Sequence, residues 1–207
     1  EQGDEAAESQ LVSLSIEEIN LIRYNNDSSL YGLYGHGRKY EIDNNRVNWC
    51  IKVAQYGYAK AQSRLALYYW TKKDYREAAK WYHEAAKQGD VIAQVNLAYC
   101  YMVGQGCDKD IFKAAKWYHA AAKRGNAYAQ YILAQCYEKG EGVAQNDEEA
   151  ITWYLKSAEQ GEERAKKALL RSNSDVAEIG TDWLLRVAER GFLEAQYKLA
   201  LRYEQGD

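Results

Sequence analysis

Five of the six tryptophans in this chain stand at one interval from a glycine. Trp49, Trp81, Trp117, Trp153 and Trp183 each lie eight residues before Gly57, Gly89, Gly125, Gly161 and Gly191. Three residues before each glycine is an alanine: Ala54, Ala86, Ala122, Ala158 and Ala188. Chance does not place letters this way, so the 207 residues are to be read as an array and not divided by length into domains. The clearest copy is DIFKAAKWYHAAAKRG, from Asp110 to Gly125, with close relatives from Asp74 to Gly89 and from Asn146 to Gly161. Ala114, Trp117, Tyr118, Ala121, Ala122 and Gly125 recur at helical spacing, with Lys113, Lys116, Lys123 and Arg124 on the remaining surface. Asp110 is placed to cap the helix start and Gly125 to end it in the left-handed conformation.

A second pattern follows each glycine, as AQVNLAYCY from Ala93 to Tyr101 and AQYILAQCY from Ala129 to Tyr137. AQSRLALYY (Ala61 to Tyr69) and AQYKLALRY (Ala195 to Tyr203) are variants. Alanine, leucine and tyrosine at i, i+4 and i+8 again share one helical face. Each repeat is therefore an A helix of this type, a turn such as Gly104-Gln105-Gly106, and a tryptophan-bearing B helix. The closing glycines are 32, 36, 36 and 30 residues apart. The first shortening lies between Tyr69 and Asp74. The last lies where Asn173 replaces the tyrosine and a short SNSD segment replaces the Gly-x-Gly turn.

These residues closely resemble the Sel-1-like repeat, a relative of the tetratricopeptide repeat. Residues 125–161 carry nearly the whole pattern: Ala129-Gln130, Leu133-Ala134, Tyr137, Gly140, Gly142-Val143, Ala150, Trp153-Tyr154, Ala158 and Gly161. The resemblance covers residues 43–207, with repeats closing at the five glycines, and covers 1–42 poorly. That first stretch reads as a degenerate region: the end of a B helix, a weak A helix, a short amphipathic helix over 15–24, and an irregular connection over 35–42. The resemblance implies an all-α fold, a right-handed α/α superhelical solenoid of about five helix-turn-helix repeats, with A helices on the concave side and B helices on the convex side. It also implies a scaffold or adaptor for proteins, as in bacterial host-interaction and regulatory factors. It carries no catalytic residues. One cysteine-rich bacterial branch is linked to β-lactam binding and clamps each repeat with a disulfide; Cys50, Cys100, Cys107 and Cys136 do not recur in that way.

Both ends fall inside the pattern. Glu1 to Asp4 matches the close of a B helix, and Tyr203 to Gly206 matches the close of an A helix. The expectation is a segment of a longer array that exposes apolar helix faces at its ends, so a missing targeting segment carries no information.

Composition narrows function by exclusion. A net charge of −3 has the wrong sign for a phosphate binder, so no nucleic-acid partner is expected. No apolar run reaches the length of a membrane span. No serine or cysteine stands in a triad signature, and no Cys/His spacing fits a metal site, so no cofactor and no enzymatic activity are expected. Cys100 and Cys136 occupy equivalent places in successive A helices, too far apart for a disulfide, and read as reduced thiols that favour a reducing compartment. The tryptophans read as core, and His83 and His119 as solvated surface residues.

What remains for function is the part of helix A that the repeat leaves free. Arg64, Tyr68, Asn96, Tyr99, Tyr131, Gln135, Lys198 and Arg202 vary between repeats and have the composition of binding patches. The expected function is a non-enzymatic scaffold that holds a peptide or protein in the concave groove. A purely architectural spacer and, further off, a β-lactam-binding enzyme are the alternatives.

Overall fold

The computed structural model describes residues 44–170 and 177–205. Ten helices occupy them, and no strand occurs among the described residues. They are α1 (Asn44–Gln55), α2 (Ala59–Thr71), α3 (Tyr75–Lys87), α4 (Val91–Val103), α5 (Ile111–Lys123), α6 (Ala127–Lys139), α7 (Asp147–Glu159), α8 (Glu163–Leu170), α9 (Ala177–Glu189) and α10 (Leu193–Gln205). Even-numbered helices are the A type and odd-numbered helices the B type. Each packs mainly on its neighbours in the chain, and α8 also meets α10. The architecture is an all-α solenoid of stacked helical hairpins. The expectations placed on 1–42, on Asn173 and on the SNSD segment lie outside the described residues.

Side-chain caps start five consecutive helices, α3 to α7. Asp74, Asp110 and Asn146 accept a hydrogen bond from the amide three residues on, as do Asp90 and Asn126 at the A helices. Each satisfies one of the orphan amides of a first turn. Asn146 and Glu149 do not form the reciprocal box that their spacing suggests. Glu149 accepts instead from the Trp153 indole, and the Asn146 amide bonds the Tyr137 carbonyl at 2.9 Å. That last bond recurs as Asp74 to Tyr69 and Asp110 to Tyr101, both 2.9 Å. The same clip thus closes a connection of either length, which is how the array absorbs four missing residues at Tyr69–Asp74. Shortening leaves Lys73 at φ 65°, in the left-handed region.

The core differs from expectation in which ring it buries. Tyr82, Tyr118 and Tyr154, each one residue after a tryptophan, are sealed from solvent, whereas Trp81 and Trp117 are only half-buried. Trp153 and Trp183 are buried. The phenol drops between the two helices of its hairpin onto the small alanines, while the indole lies at the seam between successive B helices. Tyr154 donates to Glu138 at 2.6 Å, and its ring lies 6.3 Å from that of Trp183.

The glutamine of each Ala-Gln pair has a structural task. Gln88 donates to the Gln62 side chain at 2.8 Å, and Gln62 donates to the Ala54 carbonyl at 3.1 Å. Gln160, Gln130 and Ala122 repeat this relay at 2.7 and 3.2 Å. It ties three helices through a buried glutamine, Gln62 or Gln130, and an exposed one, Gln88 or Gln160, at the end of the following B helix. In the intervening repeat Gln94 still donates to Ala86, but Arg124 stands where Gln88 and Gln160 stand, and the Gln94 Oε1 is buried with no hydrogen-bond partner. Arg124→Gln should therefore complete the relay and stabilise the protein by about 0.5–1.5 kcal/mol. A urea midpoint no higher than that of the parent protein would show that the relay is not the source of the bond's value.

Candidate partner-binding face

An A helix buries the arc that carries its alanines, leucine and glutamine and turns the opposite arc outward. On α4 the outward line is Ile92, Asn96, Tyr99 and Val103, at 0, +4, +7 and +11. The equivalent lines are Lys60, Arg64, Leu67 and Thr71 on α2, and Tyr128, Ile132, Gln135 and Lys139 on α6. On α8 the line begins with Arg164 and Ala168, and on α10 it runs through Glu194, Lys198 and Leu201. Five of the eight candidate residues, Arg64, Asn96, Tyr99, Gln135 and Lys198, lie on this line. Tyr68 and Arg202 lie on its flank, in register with Cys100 and Cys136, which are buried. Tyr131 lies on the opposite flank, under the following repeat.

All eight are half-buried, and several already have neighbours. Tyr131 tilts against Tyr154 with ring centres 5.9 Å apart, and the Arg164 guanidinium stacks over both Tyr131 and Tyr128. Arg164 is itself held by Glu162, at 2.8 and 3.1 Å. That pairing holds the Glu162 carboxyl below its ordinary range. Tyr99 meets Trp70 edge-on at 6.0 Å, Tyr68 meets Tyr69 at 5.6 Å, and Lys198 donates to the Leu170 carbonyl. Tyr131 is thus mainly a packing residue. Sequence reasoning missed Lys60, Ile92, Val103 and Lys167, all exposed on this side. Their signal was available, since each falls on or beside the outward line that the Ala-Leu-Tyr stripe defines by subtraction.

The cysteines are free thiols. Burial pushes Cys100 up to about 12 and Cys136 up to about 11, so neither is a thiolate nucleophile at neutral pH. Among the described residues no three of His, Cys, Asp or Glu gather as metal ligands, and no helix is long and apolar enough to cross a membrane. The histidines are not simply solvated. His83 meets Trp117 edge-on at 6.2 Å and His119 meets Trp153 at 6.1 Å, each bridging to the next repeat's indole.

Burial and Lys123 lower the proton affinity of His119, and Glu149 partly opposes them. The unfolded chain, with its imidazole near the ordinary 6.5, takes up a proton that the folded protein resists. The stability tied to the neutral ring is complete above that value and is lost as pH falls from it toward the lower folded value. His119→Leu, which copies Leu155 at the equivalent place, should flatten this part of the pH dependence. Urea midpoints at pH above and below the imidazole range check it, and equal slopes in both proteins would refute it.

The odd helices offer a rival surface. Phe112 is 76% exposed where Arg76 and Glu148 occupy the equivalent places. It borders a shallow groove of about 210 Å³ with Lys116, His119, Tyr137 and Val143.

A family model described as Sel1 repeat matches residues 53–90, 91–126, 127–162 and 193–207. The chain belongs to the Sel1 repeat family. Three of those matches end on Asp90, Asn126 and Glu162, just before an A helix, so a Sel1 repeat here is an A helix followed by its B helix. Residues 1–52 are left unmatched, and so, between the matches, is 163–192, the interval with the shortened connection. Among solved structures, the chain is similar to a Sel1 repeat protein from Oxalobacter formigenes. That pair shares 38% identity over 59% of this chain and 96% of the other, with a TM-score of 0.56. It is also similar to c5321, a protective antigen of uropathogenic Escherichia coli with an SLR fold. Identity there is 30% over 78% of this chain and 37% of the antigen, with a TM-score of 0.61. Helicobacter pylori cysteine rich protein B shares the fold at 21% identity, 60% and 92% coverage, and a TM-score of 0.50. None of the curated proteins matches the chain in sequence.

Proposed function

We propose that this Sel1 repeat chain is a non-enzymatic scaffold that holds a peptide or protein partner on the outward face of its A helices. One observation carries the reading. The outward line changes from Lys60 and Arg64 to Ile92, Asn96 and Tyr99 to Tyr128, Ile132 and Gln135, while the alanines, leucine and glutamine of the buried arc recur from helix to helix. Stacked hairpins hold the line in place before any partner arrives, which lowers the ordering cost of binding. The likeness to a protective antigen supports a bacterial host-interaction setting.

Photo-crosslinking distinguishes the two faces. A photoreactive side chain at Gln135 should capture the partner, and one at Phe112 should not. Capture from Phe112 alone would place binding on the B helices and refute the reading. Failure at both sites would favour an architectural spacer.

A further inference from the structure

Among the described residues, helix α4 is the one A helix with no charged side chain. Ile92 and Val103, at the two ends of its outward line, are 42% and 43% exposed, with Asn96 and Tyr99 between them. To one side lies α2, whose only charged residues are Lys60 and Arg64. To the other side, past Tyr128, Ile132 and Gln135 on α6, whose line ends on the exposed Lys139, lie α8 and α10 with Lys167 and Lys198. The Arg164 charge is spent on Glu162, and Lys166 pairs with Glu163. Glu194 is the one carboxylate on the outward line among the described residues. An apolar strip is therefore bracketed by cations, in a chain whose net charge is negative.

Resting on the A-helix face as the binding face, we propose that its occupant is an extended acidic peptide segment. Apolar side chains lie along α4 and α6, and a carboxylate at each end meets Lys60 and Arg64 on one side and Lys167 and Lys198 on the other. From α2 to α8 is three A-helix steps, about 24–30 Å at ordinary helix spacing. An extended chain crosses that distance in about eight residues. The uncharged α4 disfavours a nucleic acid, whose evenly spaced phosphates would cross it with no cation to meet them. The end contacts supply selectivity and rate, while the apolar strip supplies the buried area.

The test is fluorescence anisotropy with a labelled peptide of about twelve residues, carrying two glutamates at each end and isoleucine, leucine and asparagine between. Exchanging the glutamates for glutamines leaves the protein untouched. This should weaken binding by about tenfold, and raising salt should weaken the glutamate peptide alone. Lys167→Glu, an exposed site, should weaken the glutamate peptide and leave thermal unfolding unchanged. Equal affinity for the two peptides overturns the acidic rule while leaving a partner on this face intact. No binding of either peptide, while the Gln135 crosslink captures a partner, overturns it in the same way. Tighter binding of a single-stranded oligonucleotide overturns it in favour of nucleic acid. Displacement of the peptide by a Phe112→Glu change would sink this inference and the A-helix reading together.

Discussion

Tyr118→Ala should destabilise the protein by about 3–5 kcal/mol, whereas Trp117→Ala, one residue earlier, should cost clearly less. The phenol has no solvent-exposed surface, sits between alanines on α5 and the neighbouring helices, and lies edge-on to Tyr128 at 6.5 Å. Its loss leaves a cavity that rigid helices cannot close, because the surrounding residues are already small. The Trp117 ring keeps part of its surface in water and meets His83 at its edge. Removing it forfeits less buried area and leaves a groove that water can enter. Chemical denaturation of the two variants decides the matter. A larger loss at Trp117 would show that the seam between repeats, and not the inside of the hairpin, carries the stability.

Gly106→Ala should be as damaging by another route. Its φ is +85°, and an added Cβ would lie 2.0 Å from the Tyr75 carbonyl oxygen and 2.6 Å from its carbon. The contact is to the backbone of the preceding B helix, so no side chain can swing aside. Left-handed strain of about 1–2 kcal/mol adds to an overpacking cost of about 1–3 kcal/mol. Gly140→Ala is the internal control. It has a similar φ of +70°, but its new Cβ would meet only Gln145, at an ordinary 3.4 Å. Only the left-handed strain should appear there. Equal losses at the two glycines would mean that the close approach to α3 is not what selects glycine at 106.

These two cases mark where sequence reading worked and where it stopped. The hairpins, their caps at Asp74 and Asp110, and their closing glycines were legible because each depends on residues within one turn of a helix. The choice of Tyr118 over Trp117 as the sealed ring was not, since both lie on the same stripe. What separates them is a third helix whose position no local spacing encodes. His83 and His119 were read as surface residues for the same reason: their partner indoles lie 34 residues further on. Spacing assigned the repeated glutamine no task, since its partner, the carbonyl of Ala54 or Ala122, lies on the preceding helix. On the A-helix face, Arg64, Asn96, Tyr99, Gln135 and Lys198 could be found by subtracting the packed stripe. Tyr131 survived that subtraction only because the residues that cover it, Tyr154 on the following B helix and Arg164 in the next repeat, lie on other helices.

The interrupted amide relay at Gln94 has a mechanical consequence. Where Gln62 and Gln130 rivet three rods together, the rods must tilt as one body. At Gln94 one rivet is absent, so bending strain collects at a joint beside α4, in the middle of the array. A stack hinged there can open or tighten its pitch without loosening either end.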